Sequence, residues 1–141
     1  MNNNFLSYDL SLEMKGIGFN EPCFGYYVDG ELRGVDLGIE ELGGVKPYYQ
    51  RFGFHNLRNS DIDNTKKVVV TAPLLQQALE FFEKEYSFFV DVRTDTTPNE
   101  ILGFDFTIKS WKFSPMYVDV FRNKREGYDV VIKKMIELAN S

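Results

Sequence analysis

Three stretches with alternating apolar residues decide the fold of this chain: FFVDVR at 88–93, LGFDFTIKSWKF at 102–113 and MYVDVF at 116–121. An apolar side chain at every second position is the period of a β-strand with one buried face. The stretches follow one another closely, and Ser114 and Pro115 separate the last two. We therefore predict an antiparallel meander of three strands.

The alternation also predicts which side chains share a face of the meander. The face towards the helices is expected to carry Phe88, Val90, Val92, Phe104, Phe106, Ile108, Met116, Val118 and Val120. The opposite face is expected to carry Phe89, Asp91, Arg93, Asp105, Thr107, Lys109, Trp111, Tyr117, Asp119 and Phe121.

The second of these faces is the candidate functional surface. Its aromatic rings are interleaved with charges, and aromatic rings together with arginine are typical of protein contact sites. The candidate binding residues are Phe89, Arg93, Lys109, Trp111, Tyr117 and Phe121. Two alternatives remain open: a preceding hairpin or the long central segment buries these rings, or the rings line a ligand groove.

Helix signals occur before and after the strands. Ser7 is a candidate N-cap for a helix that ends at Gly16, because its hydroxyl can accept a hydrogen bond from a free amide of the first turn. Thr71 is a candidate cap for a second helix with Pro73 in its first turn. Residues 128–139 have the apolar spacing of a third, amphipathic helix.

A hairpin is predicted in the N-terminal half. Its strands span 23–28 and 31–37, and Asp29 and Gly30 between them tolerate the left-handed conformation of a tight turn. A further strand is possible at 48–54, within a segment that otherwise has no clear period.

These elements predict a single α+β domain that spans residues 1–141. It has a mainly antiparallel sheet with about three helices packed largely on one face. A chain of this length buries roughly two-thirds of its unfolded surface, which is enough for one core without disulfides or metals.

The charge balance disfavours nucleic acid as a partner. The chain has 21 acidic and 16 basic residues, a net charge of −5, and no concentrated basic footprint that would displace counterions. No stretch approaches the roughly 20 apolar residues that cross a bilayer. The lone cysteine cannot form an internal disulfide, which fits a reducing compartment. We predict a cytoplasmic protein without nucleic-acid or membrane partners.

Residues with catalytic or metal-binding chemistry are sparse. Cys23 is a candidate nucleophile and His55 is the only histidine, but no local motif predicts that they meet. One cysteine and one histidine do not form a zinc site without carboxylates. Asp61 opens a segment similar to a calcium loop, but Lys66 and Ala72 stand where such a loop needs glycine and glutamate. We predict no catalytic residue, no metal and no cofactor.

Three segments stand out by their composition. They are Gly18-Phe19-Asn20-Glu21-Pro22-Cys23, the helix that combines Ala72-Pro73 with Gln76-Gln77 and Phe81-Phe82, and the closing Lys133-Lys134-Met135-Ile136-Glu137. In this order they resemble a family of small uncharacterised proteins encoded by phages, prophages and mobile elements of anaerobic gut bacteria. The resemblance implies a phage or prophage context and brings no established activity.

Together these features predict a non-enzymatic accessory protein of phage or prophage type that binds another protein or self-associates as a homodimer. The alternative from another class is a small-molecule-binding protein or an enzyme with a pocket beside the sheet. In that alternative, Cys23, Tyr49 or His55 would supply the polar groups.

Overall fold

The fold is taken from a computed structural model, and the residues described are 4–34, 57–62 and 68–141. The possible strand at 48–54 and the residues Tyr49 and His55 lie outside the described residues. The chain divides into two compact units, Met1–Gln77 and Ala78–Ser141. The single-domain organisation stays a prediction.

The first helix, α1 (Tyr8–Gly16), begins and ends where the sequence predicts. The Oγ atom of Ser7 accepts a hydrogen bond from the backbone N–H of Leu10 at 3.2 Å and caps the first turn. Beyond the helix, Gly18 has a φ of +94°, a conformation that a residue with a side chain rarely adopts.

The first unit contains a three-stranded antiparallel sheet. Its strands are β1 (Gly25–Val28), β2 (Glu31–Gly34) and β3 (Val69–Ala72), in the order β2-β1-β3. Asp29 and Gly30 connect β1 to β2 with φ angles of +49° and +88°. Positive φ at both positions matches the twist of the flanking strands, and the predicted hairpin is confirmed. Its first strand begins at Gly25, two residues later than predicted, and residues 35–37 of the predicted second strand lie outside the described residues.

Both faces of this first sheet are covered by apolar side chains. On one face, Tyr26 and Val28 pack with Val69 of β3 and with Leu57. On the other face, a second cluster forms around Tyr27; its members are Val70, Ala72, Phe5, Tyr8 and Leu32. Every residue of β1 and β3 is therefore buried.

The second helix, α2 (Leu75–Tyr86), begins later than predicted. Thr71 was expected to cap it, but this residue lies inside β3 and its backbone N–H donates to Asn59 Oδ1 at 3.0 Å. The prediction was wrong because pairing with β1 extends the strand to Ala72. The side chain of Gln77 instead accepts from the backbone N–H of Leu74 at 3.0 Å, at the start of the helix.

The second unit contains the predicted meander. Its strands are β4 (Phe89–Thr96), β5 (Ile101–Ser110) and β6 (Phe113–Phe121), antiparallel and in the order β4-β5-β6. The prediction ended the middle strand at Phe113 and broke the chain at Pro115, but the turn lies at 111–112 and Pro115 is inside β6. Proline is tolerated there because β6 is an edge strand of the sheet.

A β-bulge changes the face of the last residues of β6. Phe106 pairs with Asp119 and the next residue, Thr107, pairs with Tyr117, so Val118 is the extra residue. From the bulge onward, each side chain of β6 points to the face opposite to the one that strict alternation predicts.

The third helix, α3 (Lys124–Ala139), covers one face of the meander. Asn123 Oδ1 accepts from two backbone N–H groups of the first turn, which explains a start four residues before the predicted one. The ring of Phe106 lies 5.1 Å from that of Tyr128, and a Cβ atom at Gly127 would collide with the Phe106 ring. Glycine at this position therefore allows close packing of the helix on the sheet.

The described part of the chain thus contains three α-helices and two three-stranded antiparallel sheets. The α+β class is confirmed. The strands form two sheets because the hairpin of the first unit pairs with β3, whereas the meander pairs only within itself among the described strands.

Candidate functional site

The candidate site is the face of the meander opposite to α3, which we call the open face. Cross-strand pairing places Phe89 beside Lys109 and Arg93 beside Asp105, and residues directly opposite in an antiparallel ladder share a face. The open face is therefore formed by Phe89, Asp91, Arg93, Asp95, Gly103, Asp105, Thr107, Lys109, Tyr117 and Val120.

The aromatic side chains of this region are largely exposed. The exposed fraction is 47% for Phe89, 59% for Tyr117 and 80% for Trp111. On the other face of the same sheet, Phe106 and Ile108 are fully buried. The alternation within β4 and β5 is confirmed. The central segment at 38–64, which one alternative expects to bury these rings, lies mostly outside the described residues.

An ionic cluster lies across β4 and β5 on the open face. Asp91 Oδ2 is 3.2 Å from Lys109 Nζ and 3.4 Å from Arg93 Nε. The hydrogen bond from Lys109 and the nearby positive charges lower the pKa of Asp91 below its ordinary value. Arg93 and Lys109 were predicted as binding residues, and both lie on the open face with their charges directed at the same carboxylate.

Tyr117 lies on the open face beside β5. Its hydroxyl donates to Asp105 Oδ1 at 3.3 Å. Partial desolvation raises the pKa of Tyr117, and the carboxylates of Asp105, Asp119 and Asp95 raise it further because they disfavour a second negative charge. This part of the face is therefore locally acidic.

Trp111 was predicted on the strand but lies in the turn between β5 and β6. The ammonium of the next residue, Lys112, is 5.7 Å from the centre of the Trp111 ring and 5.8 Å from that of Phe88. A cation over an aromatic ring is attracted to its negative face. The turn therefore presents an exposed indole and an ammonium group together.

Phe121 is the predicted binding residue that the structure does not place on the open face. It pairs with Phe104, and its ring lies 5.8 Å from the Phe106 ring on the side covered by α3. Val120 takes its place on the open face, with 42% of its surface exposed. The bulge at Val118 is the physical reason, and a strict period of two cannot reveal it.

Cys23 has the environment of a buried structural residue. Its Sγ atom donates to the carbonyl oxygen of Glu21 at 3.4 Å, and its backbone N–H donates to Leu57. Burial raises the pKa of Cys23 to about 12, although a hydrogen bond with Thr71 acts in the opposite direction. The thiol therefore stays protonated at neutral pH, whereas a nucleophilic cysteine needs a thiolate.

Side-chain amides and a guanidinium donate hydrogen bonds to the backbone of Gly18 to Cys23, the first segment of the family resemblance. Asn59 Nδ2 donates to the carbonyl oxygen of Phe19 at 2.9 Å, and Arg58 donates to that of Asn20 at 2.9 Å. Gln77 Nε2 donates to the carbonyl oxygen of Pro22 at 2.7 Å. Gln77 belongs to the second segment of the resemblance, so these two segments meet through a structural hydrogen bond.

The sequence analysis missed Asn59 as a key residue of the first unit. Its side chain bridges Phe19 and Thr71, which are 52 residues apart along the chain. An asparagine between Arg58 and Ser60 has the composition of an ordinary turn, so no local signal distinguishes it.

Within the described ranges, no group of three His, Cys, Asp or Glu residues is arranged to hold a metal ion. Asp61, from the segment similar to a calcium loop, accepts the backbone N–H of Arg58 at 3.1 Å. This carboxylate therefore stabilises a turn.

In residues 4–34, 57–62 and 68–141, none of the helices combines the length and apolar character that crossing a membrane requires. Among protein-family models, curated proteins and solved structures, nothing matches this chain.

Proposed function

We propose that this protein acts by binding another protein through the open face of the meander and the adjacent Trp111 turn. The observation that carries this proposal is the exposure of Phe89 and Tyr117 on the open face and of Trp111 in the adjacent turn, in a sheet whose other face buries Phe106 and Ile108. A solvated sheet face would normally expose polar side chains at these positions.

The size of the exposed aromatic surface supports this role. The three rings together expose on the order of 400 Å² when their exposed fractions are applied to typical aromatic areas. Apolar patches of this size on a soluble protein are often functional. Tryptophan and tyrosine are also the residues that most often dominate binding energy in protein interfaces.

The charges of the open face suit a specific contact. Asp91, Arg93 and Lys109 form an ionic cluster beside Phe89, and Asp105 fixes the hydroxyl of Tyr117. Charged groups around an aromatic centre select partners by complementary potential and contribute less to raw affinity.

The proposed biological context is that of a phage or prophage accessory protein without enzymatic activity, located in the cytoplasm. The context is supported by the resemblance of the three segments described above. The location is supported by the lone, buried thiol of Cys23, which forms no internal disulfide.

Site-specific photocrosslinking in cells tests the proposal. The photoreactive residue p-benzoylphenylalanine is placed at position 89, 111 or 117 of the full chain, and at positions 12 and 130 as exposed apolar controls. We expect discrete protein adducts from the first three positions and none from the controls. An absence of adducts at all three positions, or equal adducts at the controls, would overturn the proposal.

A further inference from the structure

We propose that the outer edge of β4 pairs with the β4 edge of a second copy, antiparallel and across a two-fold axis at Val92, to form one six-stranded sheet. The inference concerns the edge of the meander, whereas the proposed function concerns its open face. It is carried by the regular ladder of β4, by valines that α3 leaves half-buried, and by charges that match in a single register.

The two edge strands of the meander differ in how regular they are. In β6, Pro115 has no backbone N–H to donate, and the ladder is irregular at two places, one of them the bulge at Val118. In β4, residues 89–95 follow one unbroken register along β5. Natural sheets block their edges with prolines and bulges, and in this meander β6 is blocked along its length whereas β4 is not.

The outer edge of β4 carries backbone groups that are able to pair with a further strand. Successive residues of an antiparallel strand direct their N–H and C=O groups alternately to one side and to the other, so about half of these groups in residues 89–95 point away from β5. Among the described residues, no hydrogen bond joins this edge to another part of the chain. A second strand along residues 89–95 would make about six to eight backbone hydrogen bonds.

The cover that α3 provides stops short of β4. Val90 pairs with Ile108 and Val92 pairs with Phe106, so both valines lie on the face that α3 covers. Ile108 and Phe106 are fully buried, whereas both valines are only half-buried because α3 packs mainly against β5 and β6. A second β4 strand would bring the valines of the two copies together in one apolar strip.

The charges of β4 match when the strand is paired with its own copy. With the axis at Val92, antiparallel pairing places Asp91 opposite Arg93 of the second copy, and the two-fold axis repeats this contact. The Cβ atoms of opposite residues are about 5 Å apart, which is close enough for an ion pair. Within one copy, Arg93 Nε lies 3.4 Å from Asp91 Oδ2 and 76% of the Arg93 side chain is exposed, so this guanidinium is accessible to a second carboxylate.

The same charges disfavour the neighbouring registers. Paired side chains lie on the same face, so under a two-fold axis the strands slide in steps of two residues. One step places Asp91 opposite Asp91 of the second copy, and the step in the other direction places Arg93 opposite Arg93. Like charges directly opposite each other are destabilising. The register centred on Val92 is therefore selected, and it uses the whole regular ladder of residues 89–95.

Single cysteines test the register on the full chain. Val92→Cys places two thiols opposite each other at the axis, at a separation that a disulfide spans. Val90→Cys is the matched control, because its two copies lie four residues apart, about 13 Å along the strand. The natural thiol of Cys23 is buried and does not compete. Non-reducing electrophoresis after mild oxidation measures the linked dimer, and circular dichroism verifies that each variant is folded.

We expect most of the Val92→Cys chain to become a disulfide-linked dimer and at least about tenfold less of the Val90→Cys chain, since only the first pair of thiols has disulfide geometry. Equal linking of the two variants, or no linking of Val92→Cys, would overturn the register.

Charge reversals test the matching of Asp91 with Arg93. Asp91→Arg and Arg93→Asp each place like charges at both symmetric contacts, and Lys133→Glu on the exposed side of α3 is the control. In sedimentation velocity over a concentration series we expect a wild-type dimer, a dissociation constant at least about tenfold weaker for each of the two variants, and no change for the control. An equimolar mixture of the two variants has opposite charges at both contacts, so we expect a heterodimer of about wild-type affinity.

Three results of sedimentation would overturn the inference. A wild-type chain that stays monomeric excludes the pairing, and adducts with another protein at positions 111 and 117 would then still support the proposed function. A mixture that does not restore affinity excludes the contact between Asp91 and Arg93. Larger assemblies that grow with concentration exclude a closed two-fold contact.

Discussion

The two sheets of this protein have the same number of strands and the same antiparallel pairing, but they differ in what covers them. In the first sheet, Tyr26 and Tyr27 point to opposite faces and both are buried. In the second sheet, Phe106 is buried on one face while Tyr117 is exposed on the other. The first sheet therefore serves stability, whereas the second sheet also presents an exposed surface.

The polar contacts of the two sheets differ in the same way. Around the first sheet, the Asn59 amide pairs with two buried backbone groups, and Gln77 donates to the part-buried carbonyl oxygen of Pro22. On the second sheet, the ion pairs of Asp91 lie on the open face and remain partly exposed. Buried amide contacts stabilise a fold, whereas exposed ion pairs contribute little to stability and more to recognition.

The largest expected effect is a loss of stability that differs between the two faces of the meander. Phe106→Ala removes a fully buried ring between β5 and α3 and is expected to lower the free energy of unfolding by about 3–5 kcal/mol. Phe89→Ala, on the open face, is expected to lower it by less than about 1 kcal/mol. Urea unfolding followed by circular dichroism measures both. Equal losses would contradict the assignment of the faces.

The next effect concerns the buried amide of the first unit. Asn59→Ala leaves the carbonyl oxygen of Phe19 and the N–H of Thr71 without their hydrogen-bond partner, which is expected to cost about 2–4 kcal/mol. Ser60→Ala is the matched control, because Ser60 is exposed and contributes its backbone N–H to Asn20. Urea unfolding measures both variants. A loss below about 1 kcal/mol for Asn59→Ala would show that the two contacts are not required.

Alkaline pH tests the burial of Cys23. Its pKa is about 12 in the folded chain and has the ordinary value of 9.0 when exposed, so between these values the folded state binds more protons. The free energy of unfolding therefore falls as pH rises above 9, and at pH 10 this group makes it about 1 kcal/mol lower than at pH 9. The matched variant Cys23→Ala should lack this component of the slope, measured as unfolding free energy against pH. Identical slopes for both chains would contradict the buried thiol.

The smallest expected effect is a gain in stability where α2 leads to the meander. Ser87 has a φ of +57°, and its N–H donates to the carbonyl oxygen of Glu83 at the helix end. Ser87→Gly relieves the left-handed strain and is expected to raise the melting temperature by an amount equivalent to about 0.5–1 kcal/mol. Ser87→Ala serves as the control, since alanine keeps the strain. Differential scanning calorimetry compares the two, and a loss with glycine would contradict this account.

Much of the fold follows from local patterns. The meander, the Asp29 and Gly30 turn and the Ser7 cap each depend on residues close together in the chain, and all three are confirmed. The alternating faces of β4 and β5 were likewise predicted, because a regular strand turns successive side chains to opposite sides. Four of the six candidate binding residues therefore lie on the open face as expected: Phe89, Arg93, Lys109 and Tyr117.

Tertiary structure decided the remaining features. Thr71 joins β3 because β1 pairs with it, and Phe121 turns towards α3 because Val118 bulges out of the ladder. Asn59 becomes important only when folding brings Phe19 and Thr71 to either side of its amide. The sequence by itself determined the alternation within β4 and β5 and the Asp29 and Gly30 turn. Register, bulges and bridging side chains depend on partners distant along the chain, which only the folded structure brings together.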